Sequence, residues 1–244
     1  MRAVLLVMGQ PFPYLNSVKI RTRRKPAKKA AAKKAAARPV VRAYHHGDLR
    51  EKLIAATESI LEEKGVEGFS LREAARRVGV SPAAPAHHFG DVSGLLAAVA
   101  REGFAEFGRM LREADESGGK DPVARLVAQG RAYVAFAMKR PARFKLMFQS
   151  DKIDFSRGDL QEIAADSFNT LERAIRALLK LPKDAPMTLE DYGALLATWS
   201  VVHGFSYLVL GHQLDRVAEP LGGDRAILEK MLPAMLDYLP KAKA

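Results

Sequence analysis

From Asp48 onward, apolar residues recur at the three-to-four-residue spacing of an α-helix. Leu49, Leu53, Ala56 and Ile60, with Ile54 and Leu61 alongside, draw one apolar stripe down a first predicted helix. Asp48 and Glu51 stand as a capping pair at its start, and Gly65 ends it. A second, short helix is predicted from Ser70, whose hydroxyl caps it while Glu73 reaches back, with Leu71, Ala74, Ala75 and Val78 on its buried face. Gly79 and Val80 make a tight turn, and Ser81 with Pro82, read as N-cap and first-turn proline, opens a third helix to Phe89. Two short helices joined by a glycine-containing turn form a helix-turn-helix arrangement, in which Ala75 and Gly79 let the pair cross closely.

Beyond Asp91 the pattern predicts a long helix to about Glu116, then helices over Val123 to Lys139, Pro141 to Gln149 and Asp159 to Lys180. A helix from Thr188 to Gly211, opened by a Thr188 and Asp191 capping pair, and one from Arg225 to Leu239 complete the series. The expected fold class is all-α: a three-helix helix-turn-helix head over 43–91 and a helical bundle over 92–244, preceded by a disordered basic arm over 1–42.

Composition changes that picture chiefly at the N-terminus. The formal net charge of +11 on 244 residues resembles a nucleic-acid signature, but residues 1–42 hold twelve Lys and Arg and no acid, leaving 27 bases and 28 acids for the rest. The basicity therefore belongs to the arm, whose KKAAAKKAAAR core has too little apolar area to fold alone. Such an arm can bind phosphate with counterion release, or serve only to solubilise. Met1 to Ser17 differs in composition from the rest of the chain and reads as an extension from a misplaced translation start.

The absence of cysteine excludes disulfides, thiolate metal sites and a cysteine nucleophile, and suits a reducing cytoplasm. No uninterrupted apolar run approaches the ~20 residues of a membrane span, so a soluble, cytoplasmic protein without membrane contact is expected. No nucleophile elbow, phosphate loop, dinucleotide fingerprint or metal-ligand spacing is present, and neither an enzyme nor a bound cofactor or metal is expected.

In a helix-turn-helix the second helix presents its N-terminal residues to base edges in the major groove, here Ser81, Pro82, Ala83 and Ala84 with His87 and His88 beyond, while Ser70 favours phosphate. Arg42, His45 and His46, just before the first helix, are placed to add phosphate contacts, although the two histidines equally fit a solvated helix entry. In the bundle, Phe104, Phe107, Tyr133, Phe136, Phe148, Phe168, Trp199 and His203 are the candidates for an effector pocket, an apolar cavity with a few polar groups between helices. His203 also fits a hydrogen-bonded core histidine.

The stretch AYHHGDLREKLIAATESILEEKGVEGFSLREAARRVGVSPAAPAHHFGDVSGLLAAVA, residues 44–100, resembles the head of the TetR/AcrR family of regulators, through Gly65, Phe69, Ser70, Leu71, Ala75, Gly79, Val80, Ser81, His88, Phe89 and Leu95. TWSVVHGFSYL, with Trp199, His203 and Gly204, resembles the WHG-type C-terminal domain of a subset of these proteins. The resemblance implies a homodimer on double-stranded operator DNA, commonly a repressor released by a small-molecule effector, here a small apolar one. It also implies pairing of the last two long helices across the dimer, for which Leu195, Leu196, Val202, Leu228, Met231, Leu232 and Met235 are candidates, though an internal core would use the same residues. The sequence departs from the family at Ala86 and Val92, where a Tyr and a Lys that contact phosphate are common. The arm is the expected compensation. The alternative function is a non-specific, histone-like DNA-binding protein acting through that arm.

Overall fold

The computed structural model describes residues 46–148 and 151–237 of the chain. They form helices α1 (His46–Lys64), α2 (Leu71–Val78), α3 (Ala84–Phe89), α4 (Val92–Ser117), α5 (Pro122–Lys139), α6 (Pro141–Met147), α7 (Leu160–Leu178) and α8 (Leu189–Leu210). A short α9 (Asp215–Ala218) leads through a 3-10 turn to α10 (Asp224–Ala226), a π turn (Ile227–Met231) and α11 (Leu232–Leu236). No strand occurs among the described residues. The basic arm, with Arg42 and His45, lies outside them, as does the side chain of His46.

Local chemistry explains most helix boundaries. Asp91 caps α4 by accepting from the Gly94 N–H at 2.8 Å, Asp121 caps α5 through Val123, and Thr188 and Asp191 form a full capping box on α8. Gly65 and Gly79 take the left-handed conformation that stops α1 and α2. Gly94 is needed for another reason. A Cβ there would overlap the carbonyl oxygen of Phe89, where the chain doubles back against the end of α3.

Four boundaries differ from the sequence reading. α1 already runs at His46, so Asp48 lies in its first turn and is not its cap. Ser70 caps α2 as expected, but Glu73 does not reach back, because its carboxylate is held by Arg76 at 2.8 Å and Arg77 at 3.2 Å. α3 starts at Ala84 with no side-chain cap from Ser81. Pro85 is the reason: a helix begun at Pro82 would need the Pro85 nitrogen to donate to the Ser81 carbonyl, and proline has no N–H and a ring that clashes there. The final helix is broken by a π turn just ahead of Pro233, which likewise cannot donate to the carbonyl four residues back.

α4 is the central element, packed on α5, α6 and α7 along its length and on α1 and α3 at its start. Leu53, Ile54, Ile60, Leu61 and Ala74 from the first two helices join Leu95 to Ala100 of α4, and this core continues through Phe104, Phe136 and Phe144 to Leu232. α4 thus carries one apolar core from the helix-turn-helix into the bundle.

Candidate DNA interface and bundle cleft

The helix-turn-helix is held in shape by buried alanines and a surface ion network. Ala74 and Ala75 are buried against α1, and the turn is closed by the Gly79 and Val80 N–H groups donating to Arg76 and Ala75 carbonyls at 3.2 and 3.0 Å. Arg77 leaves α2 to donate to Glu63 at 2.7 and 2.5 Å and to Ser59 at 3.0 Å on α1. The guanidinium hydrogen bonds on Glu73, from Arg76 first and then Arg77, lower its pKa to about 2. The Arg50 guanidinium lies 5.4 Å from the centre of the Phe89 ring, a cation–π contact tying α1 to α3.

The exposed side of the turn and α3 consists of Ser81, Pro82, Ala83, Ala86 and His87, with Ala84 and His88 half-buried and Pro85 turned inward. Small residues there let the helix sit deep in a groove, and Ser81, His87 and His88 are its hydrogen-bonding side chains. Ser70 is exposed at the start of α2. Ala86 and Val92 both lie on the surface, Val92 at 43% exposure.

Between α4, α5, α7 and α8 lies a cleft that opens to solvent. Phe104, Phe107, Tyr133, Phe148, Phe168 and Trp199 line it. Phe136 and His203 do not. Phe136 is fully buried and its ring packs 5.1 Å from that of Phe107. The sequence reading missed Leu111, Leu126, Gln129, Gly130, Ala164, Ser167, Leu171, Thr198 and Val202. The polar residues within apolar stripes, Gln129, Ser167 and Thr198, were the available signal.

The sequence matches two family models, "Bacterial regulatory proteins, tetR family" over residues 53–99 and "Tetracyclin repressor-like, C-terminal domain" over residues 126–235. The second spans Trp199, His203 and Gly204. The chain belongs to the TetR family of transcriptional regulators. A protein of unknown function from Rhodococcus sp. RHA1 is 31% identical with a TM-score of 0.65, over 82% of this chain and 97% of that one. A tetR-family regulatory protein from Rhodococcus RHA1 (20% identity, TM-score 0.62, 80% and 98% coverage) and the TetR family regulator PfmR from Thermus thermophilus (19%, 0.55, 77% and 96%) share the fold. No curated protein matches the sequence.

In this TetR regulator the Trp199 and His203 pair positions the cleft wall. The Trp199 indole Nε1–H donates to the Tyr133 hydroxyl at 3.2 Å, and that hydroxyl lies 2.8 Å from His203 Nδ1. Rings of Phe148, Tyr207, Phe144 and Trp199 surround the imidazole at 4.7 to 5.8 Å, and this burial pushes its pKa below 6.5. The neutral form is therefore favoured in the fold, and its contribution is present above the unfolded value of about 6.5 and lost as pH falls toward the lowered folded value. Urea titrations should show stability dropping as pH falls below about 6.5 by more in the wild type than in His203→Phe. Equal slopes would assign the loss to other groups.

The outer face of α8 carries a second feature. Leu189, Leu196, Tyr207 and Leu208 are exposed, with Gly193, Ser200 and Gly204 between them. Leu195, Val202 and Leu232, candidates for an intermolecular face, are instead buried within the chain, Val202 and Leu232 beside Gly130 of α5. Among the described residues nothing lies within 4 Å of a Cβ placed on Gly204, so no helix crossing among them requires this glycine. Among the described residues α8 is the one helix long and apolar enough to cross a membrane, and only 33% of its most apolar stretch is buried within the chain.

Proposed function

We propose that this TetR regulator is an effector-responsive repressor: a homodimer in which 43–91 reads operator DNA and 92–244 holds a small apolar effector whose binding releases it. The carrying observation is that α4 both walls the cleft, through Phe104, Phe107 and Leu111, and abuts the end of α3 at its Gly94. A molecule that moves α4 inside the bundle therefore also moves α3. Release requires that the effector bind the DNA-incompetent geometry more tightly, and a coupling of ~1–3 kcal/mol gives ~5–150-fold release.

Ser81, Pro82, Ala83, Ala84, His87 and His88 make the base-facing surface, Ser70 a phosphate contact, and the 1–42 arm with Arg42, His45 and His46 supplies attraction that Ala86 and Val92 do not. Fluorescence anisotropy at ~0.15 M salt, comparing DNA from the protein's own upstream region with scrambled DNA, tests this reading. Selective binding, weakened ~5–150-fold by His87→Ala, is expected, since a base contact is worth ~1–3 kcal/mol. Deleting residues 1–41 should lower affinity for both DNAs and flatten its salt dependence. Equal affinity for both, abolished by that deletion, favours the histone-like alternative.

The dimer is proposed to form through the outer face of α8, where Gly193, Ser200 and Gly204 let a second copy approach and Leu196, Tyr207 and Leu208 supply apolar area. Leu196→Glu with Leu208→Glu should give a folded monomer in sedimentation velocity. A dimer that survives both charges would place the interface elsewhere.

A further inference from the structure

The polar chemistry of the cleft narrows what can occupy it, an inference that rests on the effector-cleft reading above. Among the described residues, none of the lining side chains is an acid, a base or a histidine. A charged ligand would therefore enter without a counter-charge and would lose its hydration unreplaced.

The polar groups also have distinct hydrogen-bonding senses, set by their other partners. Gln129 is buried, and its Nε2 donates at 2.7 Å to Asp115, whose carboxylate is clamped by Arg125 at 2.8 and 2.6 Å. A carboxylate accepts only, so the Gln129 amide is fixed with its nitrogen toward Asp115, and its Oε1 has no partner among the described residues. Thr198 spends its hydroxyl proton on the Ala194 carbonyl at 2.9 Å, leaving lone pairs. Ser167 reaches the Phe104 and Ile163 carbonyls only at 3.5 Å, so its hydroxyl is the one able to turn inward as a donor. Tyr133 is engaged by Trp199 and His203.

We infer that the cleft selects an uncharged, largely apolar molecule bearing a hydroxyl group, an alcohol or phenol, whose proton is accepted by Gln129 Oε1. A hydroxyl both donates and accepts, matching Gln129 and Ser167 together. An ether leaves the Gln129 oxygen desolvated, and a carboxylate faces it with like-signed partial charge, with Asp115 directly behind.

The test uses matched probes on two skeletons, 1-decanol, decyl methyl ether and decanoate beside 2-naphthol, 2-methoxynaphthalene and 2-naphthoate, titrated into the full chain at pH 7.5. Trp199 is the single tryptophan and lines the cleft, so its fluorescence reports occupancy for the decyl series and calorimetry for both. On whichever skeleton binds, the hydroxyl compound should bind roughly tenfold more tightly than the ether and at least about a hundredfold more tightly than the carboxylate. Gln129→Met should bring the hydroxyl compound to the level of the ether, with the Asp115–Arg125 pair left to hold α4 to α5. If that variant fails to fold, the ranking on the wild-type chain decides alone. An ether or carboxylate binding as tightly as its hydroxyl partner overturns the assignment and leaves the effector cleft standing. Silence from all six probes overturns the effector-cleft reading itself.

Discussion

Replacing Arg143 with methionine should destabilise the fold by about 3 kcal/mol, the lower end of what removing one partner of a buried ion pair costs. Arg143 projects from α6 and is only 11% exposed, with Glu58 of α1 at 2.7 Å and Glu106 and Glu102 of α4 at 3.3 and 3.6 Å. Arg140 adds a second cation, 3.2 Å from Glu106 and 3.8 Å from Glu58. Without Arg143, Glu58 keeps only that longer contact in a setting where its side chain is 12% exposed. The network is also incompletely satisfied, because Glu58 Oε1 and Arg143 Nε make no hydrogen bond. An apolar replacement of both partners should therefore recover most of the loss. Urea midpoints of Arg143→Met, Glu58→Met and the double variant provide the cycle. A single-variant cost under about 1 kcal/mol would mean that water screens these charges as it does surface pairs.

The same network bears on how the two regions communicate. α6 leads directly into Phe148, a wall of the cleft, and carries Arg143, the anchor of α1. The segment before α7 makes a parallel connection, since Arg157 donates to the Phe89 carbonyl at 3.3 Å and to Asp91 at 2.6 Å while Phe155 packs 6.2 Å from the Phe104 ring. Bidentate contact of Arg101 with Asp159, at 2.6 and 2.7 Å, fixes the start of α7 to α4. Any displacement of α4 therefore meets three ionic anchors, and on the proposed effector mechanism weakening one would shift the balance between geometries as well as stability.

How legible each part was in the sequence depends on the range of the interactions that decide it. Ser70, Thr188 and Gly79 set their boundaries through groups within a few residues, and the spacing predicts them directly. Ser81 has the composition of a cap, but Pro85 decides against it from four residues away, and only the missing N–H makes that visible. In the bundle, Tyr133 and Phe136 lie three apart on one helix, yet the first lines the cleft and the second fills the core. Apolar periodicity reports burial and does not say which buried face borders a void. Polar interruptions are more informative: Glu58 falls between Ile54 and Leu61 on the buried side of α1, and it is the residue that Arg143 neutralises. Leu195 and Leu196 illustrate the same limit on α8, adjacent in sequence, one inside the chain and the other on its outer face.

Phe136→Ala should cost about 3–5 kcal/mol, whereas Phe168→Ala should cost about half as much, because the two rings differ in what surrounds them. Phe136 is buried at 0% exposure, and its neighbours on α4 and α5 are held by the same core, so truncation leaves a void that closely packed surroundings cannot fill. Phe168 is half-buried and already borders the cleft on one side, where its atoms have fewer partners to lose. The order should reverse for ligand binding: Phe168→Ala removes a wall that packs at 6.0 Å against the Trp199 ring and should weaken a bound probe several-fold, while Phe136→Ala should leave affinity nearly unchanged in the folded fraction. Urea midpoints paired with Trp199 fluorescence titrations read both effects on the same proteins. If Phe136→Ala altered probe affinity as much as Phe168→Ala did, the cleft would have to extend to Phe136, and the division between core and wall within α5 would have to be redrawn.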